Sequence, residues 1–383
     1  MRLGIVALGN ISRTGGGKTV LQGLIHALQK EITPEDQCII FVSDGQESVL
    51  GELEPRVQLI KLPSGTSAAV AEVFNQIVIP YISRRMHLDV LFCPNNRCPV
   101  FSPVPTVLMV QVRMFHFVEY DSINKKIGDL ITRTSMKVAS HILVASANHR
   151  DDLLAHIRLS PDKVRVMHLA VDEEKMCELA GSKPPQGYLE SLGIYRPYAL
   201  FVSVLRPYKN LETAIRALDL LVHDFAHDLD LVIVGDYVGG GKDPYKAFID
   251  SIIRESRVGE RLHFLGNRSF SEVCKLYAGA SLFVFPSRYE GFGLPVLEAM
   301  AAGVPVVTSN AWSLPEVGGD AALYINPDDI VGLANAMDRI LRDAELREML
   351  VQKGRENVHR FSWRRSASQL YRILKEVASR VQR

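Results

Sequence analysis

Short apolar runs recur along the whole chain, and each is followed by a turn signal and then by a stretch with helical spacing. This alternation is typical of α/β domains, because each helix crosses over to the next parallel strand. Two comparable series of runs therefore predict two Rossmann-like domains. The runs are Leu3–Leu8, Cys38–Val42, Val57–Leu62, Val90–Cys93, Thr106–Val110, His141–Ala145 and Val164–His168 in the first series, and Ala199–Val204, Asp230–Val234, Leu262–Leu265, Leu282–Pro286, Pro305–Ser309 and Ala322–Ile325 in the second.

The two series are separated near residues 181–197, where Gly, Ser, Lys and two adjacent prolines interrupt the pattern. At 383 residues the chain is also longer than most single domains. We therefore expect a first domain over residues 1–180 and a second over residues 195–360. Apolar residues at helical spacing in 363–383 predict a terminal helix that docks on another element.

The overall charge gives no reason to expect a nucleic-acid partner. There are 44 Lys and Arg residues against 43 Asp and Glu residues, a net charge of +1. The 5 cysteines are scattered and odd in number, which favours a reduced, cytoplasmic setting over a disulfide framework. The chain start reads as a strand and not as a signal peptide, and no apolar run is long enough to span a membrane.

A local excess of basic residues lies between Arg84 and Arg165, where the sequence contains 12 basic residues and 7 acidic ones. This excess is compatible with a face for an anionic acceptor or a lipid surface, and equally with a solvated helix face. Peripheral membrane contact through the first domain therefore stays open.

The most informative stretch is 286–308. Gly291 and Gly293 permit a backbone path that other residues resist, Pro295 suits a helix start and Gly303 suits its end. The start of that helix should bind an anion near residues 292–296. The flanking carboxylates of Glu290 and Glu298 cannot bind phosphate, so hydroxyl pairs of a sugar are their natural targets; the alternative is a helix-dipole contact and a surface turn.

These residues resemble a known signature. Two glutamates with seven residues between them, the inner Gly-Phe-Gly-Leu-Pro and the following Glu-Ala-Met-Ala-Ala-Gly-Val-Pro-Val-Val look like the signature of retaining GT-B glycosyltransferases of the large GT4 group, the glycosyl transferases group 1. The resemblance continues through residues 313–329 and covers most of the second domain. It implies that Glu298 binds the nucleotide ribose, and that Glu290 and the backbone of Phe292, Gly293 and Leu294 contact the donor sugar and phosphate. It also implies two facing domains, with the terminal helix returning to the first.

A second stretch, residues 201–213, runs from a strand end into a helix that Asn210 could cap. In the family this loop supplies the cations that hold the donor diphosphate. Lys209 matches the family lysine. The arginine of many relatives falls at Ser203 here, so Arg206 is inferred as its substitute; solvated basic residues in a loop are the alternative.

Gly15-Gly-Gly-Lys18-Thr19 follows the first strand and invites a Walker A interpretation. That pattern requires a glycine where this chain has Ser12. The family resemblance instead implies a glycine loop that contacts the donor phosphates, with Gly16 and Gly17 as the contacts. A plain glycine turn is the remaining alternative.

Gln111 ends the fifth strand, at the place where many relatives carry a histidine close to the transferred sugar. An amide can hydrogen-bond a sugar hydroxyl but cannot accept a proton, so a histidine-dependent step is not expected here. Arg113 and His116 are candidates for acceptor contact.

We thus expect a hexosyltransferase of GT-B fold that uses a nucleoside diphosphate sugar and no further cofactor. Catalysis would depend on Lys209, Arg206 and helix N-termini, with Glu290 and Gln111 at the sugar, and would need no metal. The acceptor would be a glycan or a lipid-linked sugar. Three alternatives stay open: an epimerase or phosphorylase of the same fold, a P-loop hydrolase using Gly17-Lys18-Thr19, and a non-catalytic sugar-nucleotide-binding protein.

Overall fold

The computed structural model describes residues 1–8, 16–63, 68–111, 123–172, 176, 184, 187–237, 240 and 243–380. The chain forms two compact units. The first comprises Met1–Leu169 with Ser362–Arg383, and the second comprises Ala170–Phe361.

The first unit is built on a seven-stranded sheet in the order β3-β2-β1-β4-β5-β6-β7. Every neighbouring pair is parallel. The order reverses between β1 and β4, and such a switch point opens a crevice at the carboxyl ends of the strands. The strands are β1 (Arg2–Ala7), β2 (Gln37–Ser43), β3 (Val57–Leu62), β4 (Val90–Cys93), β5 (Thr106–Val110), β6 (His141–Val144) and β7 (Val164–Val166).

Helices cross between these strands. A π-helical turn, Phe74–Val78, joins the second helix to the third helix. The helices are α1 (Gly16–Glu31), α2 (Ala68–Val73), α3 (Ile79–Arg85), α4 (Ile123–Val138) and α5 (Ala147–His156).

The second unit repeats the plan with six strands in the order β10-β9-β8-β11-β12-β13, all parallel. Its switch point lies between β8 and β11. The strands are β8 (Tyr198–Val202), β9 (Asp230–Val234), β10 (Leu262–Gly266), β11 (Leu282–Phe285), β12 (Val306–Ser309) and β13 (Ala322–Ile325). The helices are α6 (Tyr188–Ser191), α7 (Leu211–His223), α8 (Pro244–Glu255), α9 (Phe270–Gly279), α10 (Leu294–Ala301), α11 (Leu314–Gly318), α12 (Ile330–Arg342) and α13 (Ala344–Val358).

The core of the second unit forms where amphipathic helices cover the sheet. On α7, Leu211, Ile215 and Leu218 are fully buried at a spacing of three to four residues, as expected for one apolar helix face. They pack in one cluster with inward-facing residues of β8 and β9, such as Phe201 and Ile233. Burial of these side chains fixes the strand ends that carry the site.

The terminal helix α14 (Trp363–Ser379) packs in the first unit. A Cβ atom added to Gly23 of α1 would lie 2.4 Å from Cε2 of Trp363, so only glycine permits this close contact. Ser366 donates a hydrogen bond to the carbonyl of His168 (2.6 Å), and Gln369 donates one to Val166 (2.8 Å). The apolar residues of the tail are thereby buried.

All thirteen predicted runs are strands, and their ends differ from the prediction by two residues at most. The predicted fold class, two α/β domains with parallel sheets, is confirmed. Cys38, Cys93, Cys98 and Cys274 are buried free thiols, while Cys177 lies outside the described residues. None of the described helices combines the length and apolar composition that a membrane span needs.

Candidate functional site

Two loops meet at the switch point of the second sheet. β8 and β11 are hydrogen-bonded neighbours, with Ala199 paired to Leu282. Because the strands are parallel, the loops that follow them, 203–210 and 286–293, leave from the same edge. This edge is where α/β proteins bind ligands.

Lys209 and Glu290 form an ion pair across these loops. The Lys209 Nζ donates to Glu290 Oε1 at 2.5 Å, and the two side chains are only 13% and 9% exposed. The ammonium group also lies 5.3 Å from the ring centres of Tyr208 and Phe285. Two candidates predicted from separate motifs thus come together in one poorly solvated place, where their attraction is strong.

Arg206 lies at the start of the 3-10 turn Pro207–Lys209, and its carbonyl accepts the Lys209 N–H at 2.9 Å. Its side chain is partly buried. Among the described residues, its guanidinium has no ion-pair partner. A second cation therefore stands next to the Lys209–Glu290 pair in sequence without a carboxylate of its own in that part of the structure.

Arg288 holds the loop that carries Lys209. Its backbone N–H donates to the Tyr208 carbonyl (2.7 Å), and its Nη1 reaches the Pro207 carbonyl (2.9 Å) and Glu212 Oε1 (2.7 Å). Its Nε donates to Asp328 (2.7 Å). Sequence reasoning gave this arginine no role, because its partners come from two distant parts of the chain, residues 207–212 and Asp328.

Asn210 corrects an expectation. It precedes α7, but its side chain makes no capping hydrogen bond to a helix N–H. The residue is left-handed, with φ of 62°, and its Nδ2 donates to the carbonyls of Pro286 (3.0 Å) and Pro327 (2.6 Å). The short amide side chain tolerates this backbone, and it ties the Lys209 loop to the Glu290 loop.

Gly293 shapes the turn between Glu290 and α10. It has φ of 113°, and an added Cβ would lie 2.8 Å from Leu314 Cδ2. The Oγ of Ser313 lies 2.8 Å from the Glu290 carbonyl and 2.7 Å from that of Phe292. These contacts fix the turn in one conformation, which glycine alone adopts without strain.

The side chains of Phe292 and Leu294 belong to the core of the second unit. Both are buried, and the Phe292 ring packs edge-on against Phe361 at 5.5 Å. Any contact that Phe292, Gly293 and Leu294 make with a donor must therefore come from main-chain atoms. The helix starts at Leu294, one residue before the expected Pro295, and ends ahead of Gly303, whose φ is 73°.

Glu298 is the fifth residue of α10 and is partly buried. Its Oε2 accepts a hydrogen bond from the hydroxyl of Tyr277 at 3.2 Å. Burial raises the pKa of Glu298 to about 7, even though this hydrogen bond lowers it. Burial and the nearby Glu298 together raise the pKa of Tyr277, so its hydroxyl stays a donor. Tyr277 lies on α9, and no sequence signal linked it to Glu298.

Gln111 and Gly17 come together in the first unit. The Oε1 of Gln111 lies 3.6 Å from where a Cβ of Gly17 would be. Its Nε2 donates to the Pro94 carbonyl (3.0 Å), and its backbone N–H donates to Asn96 Oδ1 (2.9 Å). Gly16 and Gly17 are the first residues of α1, so both candidate segments lie at the carboxyl edge of the first sheet.

Two acceptor candidates, Arg113 and His116, lie outside the described residues. Within the described residues, no group of three His, Cys, Asp or Glu side chains could hold a metal ion. Asp228 and Asp230, two acidic residues close together in sequence, both bond protein side chains. Asp230 is fully buried at the start of β9 and bonds His263 at 2.9 Å.

Comparisons with known proteins find relatives that cover this part of the chain. The family described as glycosyl transferases group 1 matches residues 190–357. O-antigen chain mannosyltransferase B from Escherichia coli is 32% identical over 239 residues, which cover 61% of this chain and 60% of that protein.

The fold is also similar to solved structures over nearly the whole chain. Sucrose-phosphate synthase from Thermosynechococcus elongatus has a TM-score of 0.76 at 20% identity, over 99% of both chains. HepE from Anabaena, solved with UDP and glucose, has a TM-score of 0.73 at 18% identity, over 98% of this chain and 100% of that one. These likenesses establish a GT-B fold. The segment that matches the glycosyl transferases group 1 family, residues 190–357, contains Lys209, Glu290 and Glu298.

Proposed function

We propose that this chain is a retaining glycosyltransferase that moves a hexose from a nucleoside diphosphate sugar to an acceptor hydroxyl, in the synthesis of a cell-surface polysaccharide or glycolipid. The observation that carries the proposal is the Lys209–Glu290 pair at the β8/β11 edge, followed by Glu298 on α10. A cation can hold a diphosphate, and carboxylates can accept hydrogen bonds from sugar hydroxyls. The family match of the same segment supports these roles.

In the proposed donor complex, Glu298 accepts hydrogen bonds from the ribose hydroxyls. Main-chain atoms of residues 292–294 contact the phosphates, which the positive end of the α10 dipole attracts. Gly16 and Gly17 are proposed, from the family resemblance, to contact the donor phosphates through main-chain atoms.

Donor binding is proposed to break the ion pair between Lys209 and Glu290. A diphosphate carries more negative charge than one carboxylate, so an incoming donor draws the Lys209 ammonium away from Glu290. Glu290 is then available to accept hydrogen bonds from the sugar. Without a donor, the pair spares both side chains from being buried as unpaired charges.

The chemical step breaks the bond between the anomeric carbon and the diphosphate oxygen and forms a bond to the acceptor oxygen on the same face. Lys209 and Arg206 stabilise the negative charge that grows on the departing diphosphate. Gln111 orients the sugar by a hydrogen bond but cannot take the acceptor proton, which leaves with the released diphosphate. No metal cofactor is needed in this scheme, since both cations come from the protein.

The relatives indicate which donor sugars and nucleotides to test first. The match to an O-antigen chain mannosyltransferase makes mannose the first donor sugar to test, with rhamnose and glucose after it. UDP, which is bound in the HepE structure, is one of several nucleoside diphosphates to test. Arg113 and His116 are proposed to contact a glycan or lipid-linked acceptor, and the protein is proposed to act in the cytoplasm at the membrane face.

A thermal-shift screen with UDP, GDP, dTDP and ADP tests donor binding, because a ligand that binds only the folded protein raises its melting temperature. One nucleoside diphosphate should stabilise the wild type, and Glu298→Ala should abolish the shift. Glu348→Ala, at an exposed position of α13, is the matched control and should keep it.

Labelled sugar nucleotide, incubated with and without acceptor, then tests the reaction. Transfer with retained configuration supports the proposal. Release of an epimerised sugar or of a sugar phosphate in place of transfer would contradict it.

A further inference from the structure

Apolar side chains line the outer face of the segment 68–85 in the first unit. Val70, Val73, Ile77 and Tyr81 are all exposed, and Ile77 is 65% accessible. They are spaced by three or four residues through α2, the π-helical turn and α3, so they form one stripe. This stripe faces away from the buried residues of the same segment, such as Ile79.

A second exposed stripe runs along α4. Ile127, Leu130 and Val138 are exposed, with Leu130 at 65%. The opposite face of the helix carries Ser135 and Met136, which are fully buried. The apolar stripe is therefore not the face that holds α4 to its unit.

The segments that carry the two stripes are neighbours. Arg97 joins them, because its Nη1 donates to Glu72 of α2 (2.9 Å) and its Nε donates to Thr132 of α4 (3.0 Å). Gln76 accepts from the backbone N–H of Val100 (2.8 Å), next to Phe101, whose side chain is 86% exposed. Phe101, at the tip of this loop, is thus a third exposed apolar group beside the two stripes.

The charge of these helices is strongly positive. Segments 68–85 and 123–138 contain Arg84, Arg85, Lys125, Lys126, Arg133 and Lys137 against only Glu72 and Asp129. Both carboxylates are neutralised, Glu72 by Arg97 and Asp129 by Arg133 (2.6 Å). By contrast, the whole chain has a net charge of only +1.

The basic groups lie beside the apolar ones. Arg84, Arg85, Lys126 and Lys137 are exposed, and Arg85 donates to the hydroxyl of exposed Tyr81 at 3.0 Å. Amphipathic helices that lie in a membrane interface combine an apolar stripe with flanking Lys and Arg and with aromatic residues in this way.

We propose that this apolar–basic face, formed by 68–85, Phe101 and α4, binds the surface of an anionic lipid bilayer without spanning it. The exposed apolar side chains enter the interface, and the basic side chains contact acidic headgroups. A second copy is a poorer partner, because two basic faces repel each other. The inference rests on the proposed function for its purpose, the supply of a membrane-bound acceptor, but binding to lipid requires neither donor nor acceptor.

Flotation with vesicles tests the proposal directly. The full chain should float with vesicles of phosphatidylcholine and phosphatidylglycerol at roughly 3:1, bind pure phosphatidylcholine at least about tenfold more weakly, and lose affinity as salt is raised. Ile77→Glu with Leu130→Glu should reduce binding by about tenfold or more, since each change puts a charge into the interface. Both positions are exposed, so folding should be retained.

Val331→Glu is the matched control, because Val331 is an exposed apolar residue on α12 of the second unit and should leave flotation unchanged. Nucleoside diphosphate binding, measured by calorimetry without lipid, should be the same in all variants. Failure of the wild type to float at low salt, equal loss with Val331→Glu, or dimerisation in solution that Ile77→Glu abolishes would overturn the membrane proposal. Absence of nucleotide binding by the wild type would instead count against the proposed function.

Discussion

Replacement of Glu298 by glutamine should make the second unit more stable above neutral pH and leave its stability unchanged in acid. Burial raises the pKa of the Glu298 carboxyl from 4.5 to about 7, although the Tyr277 hydroxyl donates a hydrogen bond to its ionised form. The folded protein therefore holds this proton more tightly than the unfolded chain does. Glutamine has the shape of the protonated side chain and cannot ionise.

The sign and size of the effect follow from the linkage between proton binding and folding. Below pH 4.5 the carboxyl is protonated in both states and does not affect stability. Between pH 4.5 and about 7 the unfolded chain releases the proton first, so the stability of the wild type falls as the pH rises. Above this window the loss is complete, and at about 1.4 kcal/mol per pKa unit it amounts to about 3 kcal/mol.

Urea unfolding at several values between about pH 4 and pH 8 measures the effect. Fluorescence of Trp312 reports on the second unit, because its ring packs 4.5 Å from that of Tyr289. Glu348→Gln, on the exposed face of α13, should follow the wild type at every pH. If Glu298→Gln and the wild type lose stability in parallel over this range, the buried-carboxyl explanation is refuted.

Three further predictions concern the residues proposed to act on the donor, the need for a metal and the turn at Gly293. Lys209→Ala should slow transfer by about 10² to 10³-fold because it removes a cation from the leaving group, whereas Gln111→Ala should cost about 0.5 to 1.5 kcal/mol in the barrier, as for one neutral hydrogen bond. Single-turnover rates test this order, and the reverse order would contradict the leaving-group mechanism. Activity should survive EDTA; complete loss, restored by manganese, would show a metal requirement. Gly293→Ala should destabilise the second unit by about 1 to 3 kcal/mol because of its φ of 113° and the contact with Leu314. Gly259→Ala is the control: its added Cβ would make only an ordinary contact with Ile253 (3.7 Å), so the urea midpoint should change little.

Much of the site was accessible from sequence because its residues follow strand ends within short motifs. Glycines and prolines around 291–303 fix a backbone path locally, and the two glutamates flank it at a spacing that the chain itself imposes. Lys209 was found in the same way, from a strand followed by a helix start. What the motifs did not reveal is that Lys209 and Glu290, 81 residues apart, bond each other.

The residues that sequence reasoning missed act over long separations. Tyr277 meets Glu298 from another helix, and Arg288 joins parts of the chain up to 81 residues apart. Asn210 has the right type and position for a helix cap, yet it bonds Pro286 and Pro327 instead. Local propensity favoured the cap, and the tertiary neighbours overrode it.

The sequence by itself determined the thirteen strands, the two α/β domains and the location of the motifs that carry Lys209, Glu290 and Glu298, because apolar periodicity, glycine and proline act through neighbouring residues. Only the tertiary structure decided the strand order, the pairing of Lys209 with Glu290 and the burial that raises the pKa of Glu298. Strand order depends on which surfaces bury each other, and a pKa depends on desolvation and on partners that are distant in sequence. Both are properties of packing, which no short segment of the chain specifies.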